Sequence, residues 1–364
     1  MPVLQPCPPA QARSLLWAFA LVAPMLLASD SRCLGADFGS PAATQQTTAR
    51  TREHFENAEV IYDWVANKRG DKLRTFITRP KNAGAKVPAI FIVGWLSCDS
   101  MEYAKGETDG FGALMLRLAD QSGYATVRMD KPGVGESTGN CAHADFKSEL
   151  EGWQAAFDSL SKYDFIDLDS VFVLGLSNGG GFSPLVAGQH PVRGYIPTSS
   201  WGRTWYEHML EHERRRITNA ANSAAEVNLQ VKIFTEFYNL YLIQRITPGE
   251  IIAKHPKWKS VWYDQPDGQY GRPAAFYQQL QDLNLGEVWE KVNSPVLVIY
   301  GAADAIMSHA DAAAISDTVN RAHPGWAQFL EIEGMDHLLT VDGKLYAPLG
   351  PKILDWIKEQ LASK

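Results

Sequence analysis

The chain has 364 residues, of which 45% are hydrophobic and 21% are charged, and this is the composition of a globular protein with a large core. The length fits one domain with an insertion or two domains. A net charge of −7 leaves no basic footprint, so a nucleic-acid-binding protein is not expected.

The N-terminus has the layout of a secretory signal peptide. A positive residue precedes an apolar run over residues 14–28, which is short for a membrane span, contains a proline and is followed by a polar segment. We predict that residues 1–36 are a signal peptide cleaved after Ala36, and that the protein is then secreted or periplasmic, without stable membrane insertion. The alternatives are a retained membrane anchor and a lipoprotein attached through Cys33, although no lipobox pattern precedes that cysteine.

Export changes the meaning of the cysteine pattern. Cys7 and Cys33 would leave with the signal peptide, and Cys98 and Cys141 would remain as an even pair in an oxidising compartment. Both remaining cysteines lie in predicted loops, so we expect a disulfide between them. The alternative is two free thiols, one of them buried.

Strands and helices alternate after a flexible leader over residues 37–57. Two β-rich runs around a turn at 67–71 predict an antiparallel hairpin, and an apolar run over 87–95 predicts a strand that is buried on both faces. Further strands are predicted at 124–130, 170–176, 193–200, 294–304 and 326–334, and helices at 111–123, 145–163, 180–190, 309–322 and 347–362. The alternation predicts an α/β fold with a mostly parallel sheet flanked by helices.

The pattern breaks between residues 201 and 290, which are helical, polar and aromatic and show no clear strand. We therefore predict a helical cap over 201–290 that is inserted between two parts of one core, 58–200 and 291–364. Its aromatic residues are expected to form mainly the core of the cap, with a substrate pocket as their alternative role. Its basic end, Arg214 to Arg216, is expected to be a solvated helix face with Glu partners.

The segment Gly175-Leu176-Ser177-Asn178-Gly179 stands where a buried strand meets a helix. Glycines on both sides of a serine permit a strained turn that raises the hydroxyl above the sheet, and the helix start supplies N–H groups for an oxyanion. The segment predicts a nucleophile at Ser177. The alternative is a glycine-rich turn with an incidental serine.

A serine nucleophile needs a base, and in this architecture the partners follow in the order acid and then histidine. Asp304 follows a late strand, and His337 lies in the loop after the last strand. Asp304 would orient the imidazole, and His337 would take the proton of Ser177 and pass it to the leaving group. Asp311 falls in a predicted helix, where we expect it to be solvated, and Asp336 adjoins His337 without facing it usefully.

These motifs together resemble the α/β-hydrolase superfamily over roughly residues 58–200 and 292–364. The stretch "DKPGVGESTG" at 130–139 is similar to the D-x-x-G-x-G-x-S loop that follows the fourth strand of that fold. The resemblance implies an α/β-hydrolase fold with an inserted helical cap. It also implies an activity of the esterase, lipase, thioesterase or serine peptidase type, which needs no cofactor.

The same resemblance implies how an oxyanion would be bound. One donor would be the backbone N–H of Asn178, and the other would come from the loop after the third strand, from either Trp95 or Leu96, of which we favour Trp95. A Cys98–Cys141 bridge would tie this loop to the loop after the fourth strand, and we hypothesise that it preorganises the donor.

The sequence thus predicts a secreted serine hydrolase that cleaves a small-molecule carboxylic ester through an acyl-enzyme intermediate. No cofactor is expected, and the histidines lack the spacing of a metal site. The first alternative is a serine peptidase of the aminopeptidase or prolyl-peptidase type on the same fold. The second is a non-catalytic binding protein on that fold.

Overall fold

The structure, a computed structural model, describes residues 52–103, 110–220 and 222–363. The predicted signal peptide and the leader up to residue 51 lie outside the described residues. The strands are β1 (Ala58–Ala66), β2 (Lys72–Pro80), β3 (Val87–Val93), β4 (Ala125–Met129), β5 (Ile166–Leu176), β6 (Gly194–Thr198), β7 (Gly268–Gln269), β8 (Arg272–Pro273), β9 (Val296–Gly301), β10 (Ala327–Ile332), β11 (Thr340–Val341) and β12 (Lys344–Leu345).

Helices separate consecutive strands from β3 to β6 and from β9 to β10. The helices are α1 (Gly110–Gln121), α2 (Phe146–Asp158), α3 (Asn178–Gly181), α4 (Ser183–Ala187), α5 (Trp205–Asn219), α6 (Ala224–Tyr238), α7 (Pro248–Lys254), α8 (Ala274–Gln281), α9 (Leu285–Glu290), α10 (His309–Ala322) and α11 (Leu349–Ala362). A π-helical turn, Asn239–Ile243, continues α6.

One eight-stranded sheet forms the centre of the fold, in the order β1-β2-β4-β3-β5-β6-β9-β10. The hairpin of β1 and β2 is antiparallel, as is the pair of β2 and β4, while the pairs from β4 to β10 are parallel. The predicted α/β class with a mostly parallel sheet is therefore confirmed. Because parallel strands run in one direction, the loops at their carboxyl ends all open at the same edge of the sheet.

Helices cover both faces of this sheet. Ile90 of β3 is paired in register with Phe172 of β5, so Phe91 and Phe172 point to opposite faces. Phe91 contacts Trp153 of α2, whereas Phe172 contacts Trp356 of α11. The central strands are consequently buried on both sides, which explains why β3 reads as an unbroken apolar run.

Two local predictions differ from the structure. The helix predicted at 180–190 is two short helices, α3 and α4, because Pro184 cannot donate to a continuing helix and instead stands in the first turn of α4. The segment between β6 and β9 holds α5 to α9, as a helical insertion would, but also the two-residue strands β7 and β8. Strands this short leave no periodic pattern in a sequence.

The aromatic residues of this insert segment (201–290) are mostly packed inside the protein. Those with at most 2% of their surface exposed are Trp201, Trp205, Phe234, Phe237, Tyr238, Tyr241, Phe276, Tyr277 and Trp289. Ring contacts connect them, including Trp201 with Trp205 at 5.0 Å and Phe237 with Trp262 at 4.7 Å between centroids. Most of these side chains therefore have a packing role. None of the helices in the described part of the chain has the length and apolar character of a membrane span.

Candidate active site

Ser177 stands on a sharp turn between β5 and α3. Its φ of 53° and ψ of −123° lie in a region that residues with a side chain rarely adopt. The turn is held because the Ser177 N–H donates to the carbonyl of Thr198 on β6, at 2.9 Å. It also depends on Gly175, where a Cβ atom would lie 2.3 Å from the Cα of Gly180. The residues around Ser177 thus enforce the strained conformation.

His337 and Asp304 come to Ser177 from two other loops. His337 lies in the loop after β10, and its Nε2 is 3.0 Å from the Ser177 Oγ. Its Nδ1 is 2.9 Å from Oδ2 of Asp304, which follows β9. The three predicted side chains therefore form one hydrogen-bonded series, although Asp304 and His337 lie 127 and 160 residues after Ser177.

The Asp304 carboxylate is buried and is held by hydrogen bonds from its own loop. Its Oδ1 accepts the backbone N–H groups of Ile306 and Met307, each at 2.8 Å, so Oδ2 is left for the imidazole. The Asp304 N–H donates to the Gly301 carbonyl at 2.9 Å. A carboxylate held in this way orients the imidazole with Nδ1 as the donor and Nε2 facing the serine.

The residues predicted to bind an oxyanion lie next to this series. Asn178 is the first residue of α3, where the backbone N–H has no helical acceptor. Trp95 follows β3, and its ring stacks on Phe111 at 5.4 Å. Phe111 in turn contacts His337 edge-on at 5.8 Å. Asn178 thus directly follows the serine in the chain, and Trp95 is connected to the histidine through the ring of Phe111.

Two buried cations, Lys131 and Arg272, hold the loop after β3, and sequence reasoning missed them. The Lys131 ammonium donates to the carbonyls of Trp95 and Ser97, and burial lowers the pKa of this lysine to about 8. Arg272 of β8 donates to the Leu96 carbonyl at 3.1 Å. Lys131 belongs to the "DKPGVGES" motif. A charged residue inside this glycine-rich loop needs a polar partner, and this requirement was the signal that could have identified it. No sequence signal marks Arg272.

The loop after β4 is joined to the same assembly. Cys98 and Cys141 form a disulfide with their Cα atoms 6.0 Å apart. Arg272 donates to the Cys141 carbonyl at 3.2 Å and forms a buried ion pair with Glu149 of α2. The loop that carries Trp95 is thereby connected to α2 and to the insert segment.

The competing acids have other partners. Asp311 was expected to be solvated, but this prediction is wrong, because its carboxylate is fully buried at the start of α10. It accepts from Arg203 at 2.8 Å and lies 3.1 Å from His208 Nδ1. Asp336 caps its own loop, since its carboxylate accepts the Thr340 N–H at 2.8 Å. Neither acid contacts the imidazole of His337.

No group of three or more His, Cys, Asp or Glu side chains in the described residues is arranged to hold a metal ion. The site in this part of the chain consists of a hydroxyl, an imidazole, a carboxylate and nearby backbone N–H groups. Such a set can perform nucleophilic acyl transfer.

Comparison with known proteins adds a family to this geometry. The family model described as "Serine aminopeptidase, S33", a hydrolase family, matches residues 107–344, which is more than half of the chain. No curated protein sequence matches the chain significantly.

Solved structures show the same fold. Est1E from Butyrivibrio proteoclasticus, with ferulic acid bound, is 20% identical, with a TM-score of 0.57 over 83% of this chain and 100% of that chain. A hypothetical protein from Pseudomonas aeruginosa is 17% identical, with a TM-score of 0.54 over 88% and 100%. Acetyl xylan esterase 1 from Thermoanaerobacterium is 15% identical, with a TM-score of 0.50 over 86% of each chain. At these identities the likeness concerns the fold.

Proposed function

Because the chain belongs to the serine aminopeptidase S33 family of α/β hydrolases, we propose that it is a serine hydrolase that cleaves carboxylic esters with Ser177, His337 and Asp304. The observation that carries the proposal is the hydrogen-bonded series from Ser177 Oγ through the His337 ring to Asp304 Oδ2. The strained turn at Ser177 adds support, since such strain commonly marks functional residues.

The reaction would proceed in two halves. Ser177 Oγ attacks the ester carbonyl carbon while His337 Nε2 takes the hydroxyl proton, and Asp304 stabilises the imidazolium that results. The tetrahedral intermediate then expels the alcohol, which leaves with the proton from Nε2. Water loses a proton to Nε2 and attacks the acyl carbon, and collapse releases the acid and returns the proton to Ser177.

The developing oxyanion would be bound by the backbone N–H groups of Asn178 and Trp95. Each such donor lowers the barrier by about 3 to 4 kcal/mol in known hydrolases. The buried contacts of Lys131 and Arg272 with the carbonyls of the Trp95 loop support an oxyanion donor in this loop, because they hold the loop backbone in place before substrate binds.

Two proteins of similar fold favour ester cleavage over peptide cleavage. Acetyl xylan esterase 1 is named as an esterase, and Est1E was solved with ferulic acid bound. The family description keeps an aminopeptidase as the second candidate. Assays with esters and aminoacyl substrates side by side would separate the two. Turnover of aminoacyl substrates alone would reject the esterase.

A short-chain p-nitrophenyl ester tests the catalytic assignment. We expect Ser177→Ala to lower kcat by roughly 10⁵- to 10⁶-fold, as removal of a serine nucleophile does elsewhere. Ser183→Ala is a matched control, because this nearby buried hydroxyl donates only to the Gly180 carbonyl, at 3.0 Å. A fluorophosphonate probe should label the wild type and the control but not Ser177→Ala. Equal turnover by Ser177→Ala and wild type would reject the proposal.

We also propose that the enzyme is exported after removal of residues 1–36. The apolar run at 14–28 and the Cys98–Cys141 disulfide support this, because disulfides persist in oxidising compartments. N-terminal sequencing of the protein recovered from periplasm or medium would check it, and a full-length protein retained in the cytoplasm would contradict it.

A further inference from the structure

Arg215, on helix α5 of the insert segment, was expected to lie on a solvated face with Glu partners. This expectation is wrong, because its side chain is mostly buried and reaches the loop that carries Asp304. Its Nη1 donates to the Asp304 carbonyl at 2.9 Å, and its Nη2 donates to the Ile306 carbonyl at 2.7 Å. The nearest carboxylate on its own helix, Glu211, is 3.8 Å from Nε and partly exposed, so that pair contributes little. The two terminal nitrogens of the guanidinium thus donate to two backbone carbonyls of the turn that follows β9.

Hydrogen bonds hold the turn from Asp304 to Met307 on both its carboxylate and its carbonyl groups. The backbone N–H groups of Ile306 and Met307 hold Oδ1 of Asp304, while Arg215 holds the carbonyls of Asp304 and Ile306. A guanidinium presents its donors in a rigid planar fork, so the two hydrogen bonds fix the orientation of the turn as well as its distance from α5. Rotation of this turn would move Oδ2 away from His337 Nδ1.

The same face of α5 also contacts the first turn of α10, which follows the loop that carries Asp304. His208, His212 and Arg215 are spaced at i, i+4 and i+7 and therefore share one side of the helix. His208 contacts Asp311 in the first turn of α10. His212 lies between them, and burial, with His208 nearby, lowers its pKa to about 3. Arg215 is consequently the charged group of this face at the Asp304 end of the loop.

We propose that Arg215 is a positioning residue, through which the insert segment aligns the Asp304 carboxylate with the imidazole of His337. The proposal rests on the proposed function, in which that carboxylate orients the base. Arg215 would not touch the substrate. Its loss should therefore lower kcat and leave KM nearly unchanged, because the interaction matters for proton transfer and not for binding.

Kinetics of Arg215→Gln and Arg215→Lys form the first test. A misplacement of about 1 Å far from the chemistry can cost about 10²-fold, so we expect Arg215→Gln to lower kcat by about 10- to 100-fold. Arg215→Lys should recover part of the loss, since one ammonium replaces only part of the fork. Arg245→Gln is the matched control, because Arg245 is an insert arginine whose exposed ion pair is with Asp282 and not with the loop that carries Asp304. Unchanged kcat in Arg215→Gln would overturn the proposal.

A double-mutant cycle separates positioning from general stabilisation. If Arg215 acts through Asp304, then Arg215→Gln should cost little further kcat in an Asp304→Asn background. Losses that multiply in full would show that Arg215 acts independently of Asp304, and would reject the positioning role.

A measurement without turnover distinguishes this proposal from the proposed function. The Nδ1 proton of His337, held by Asp304, should give a proton resonance far downfield of the amide signals. We expect this resonance to shift or disappear in folded Arg215→Gln, or in Arg215→Lys if the first variant fails to fold, and to persist in Arg245→Gln. If wild type and Ser177→Ala turn over esters equally, the proposed function fails and this resonance alone decides. A resonance unchanged in the Arg215 variant would refute the role of Arg215.

Discussion

The turn at Ser177 requires glycine at neighbouring positions, because a side chain there would clash with the backbone. A Cβ atom on Gly179 would lie 2.2 Å from the Gly94 carbonyl oxygen and 2.7 Å from that of Val93. These are backbone atoms, which cannot rotate away as the end of a side chain can. Gly94 precedes Trp95, so any atom added at position 179 presses on the loop that supplies the proposed second oxyanion donor.

We therefore expect Gly179→Ala to lower both stability and kcat. Forcing a methyl group into a filled space typically costs about 1 to 3 kcal/mol, and here relief requires that the Ser177 turn or the Trp95 loop move. Chemical denaturation and ester kinetics would measure the two effects.

Gly286→Ala is the matched control for this substitution. The nearest atom to its Cβ would be Asn284 Oδ1 at 3.5 Å, an ordinary contact, and a helical glycine replaced by alanine gains about 0.5 to 1 kcal/mol. A Gly179→Ala protein as stable and active as Gly286→Ala would show that the close approach at position 179 does not matter.

At the scale of elements, the loop after β3 is held by its neighbours in the fold. Lys131 comes from the loop after β4, Arg272 from β8 of the insert segment, and the disulfide from Cys141. These contacts hold the Trp95, Leu96 and Ser97 carbonyls and the Cys98 side chain, so together they restrict the backbone of the loop that carries Trp95. Such prior restriction is the physical content of a preorganised donor.

Removal of the disulfide tests this arrangement. The bridge joins residues separated by 43 positions, and the chain-entropy argument assigns a loop of that size about 4 kcal/mol. We expect the Cys98→Ser/Cys141→Ser protein to lose free energy of unfolding of that order and to show a lower kcat, as measured by denaturant titration and ester kinetics.

Reductant supplies the control for this experiment. It should destabilise the wild type toward the level of the double-serine protein and leave the latter unchanged. Wild type and double-serine proteins of equal stability would contradict the prediction.

The elements that were predicted correctly are those with strong local patterns. The helix predicted from residue 145 begins as α2 at Phe146, because Asp145 caps it and its side chain accepts the Ser148 N–H at 3.0 Å. A few consecutive residues also show the unbroken apolar run of β3 and the glycines that flank Ser177. Strands β7 and β8 have two residues each, and their pairing follows from tertiary contacts that no window of sequence contains.

At the scale of the whole molecule, the alternation of strands and helices predicts that the three candidate residues meet at one edge of the sheet. Parallel strands bring the ends of β5, β9 and β10 to one edge, and the loops after them carry Ser177, Asp304 and His337. The charged contacts between distant segments were not predictable. Arg272 and Glu149 are 123 residues apart, and Arg203 and Asp311 are 108 apart, so nothing local indicates either pair.

Such buried pairs link the stability of the whole protein to pH, and Asp311 is the clearest case. Burial alone would raise the pKa of its carboxyl, but His208, the Ser308 N–H and Arg203 outweigh burial and hold that pKa well below its ordinary value. The folded protein therefore keeps Asp311 ionised at pH values where the unfolded chain, with an aspartate pKa of about 3.9, becomes protonated. The contribution to stability is full above that pH and is lost as the pH falls below it.

We expect Asp311→Asn to reduce the free energy of unfolding at pH 7 by about 3 to 5 kcal/mol, because it leaves Arg203 and His208 without their buried partner. The difference in the free energy of unfolding between this variant and wild type should shrink as the pH falls from about 4 toward 3. In that range the ionised Asp311 carboxylate of the wild type contributes less to stability. Denaturant titrations of both proteins at a series of pH values would measure this. Asp317→Asn, on the exposed side of the same helix, should stay close to wild type throughout. A difference between Asp311→Asn and wild type that is constant from pH 7 to pH 3 would mean that the ionised carboxylate is not what stabilises this contact.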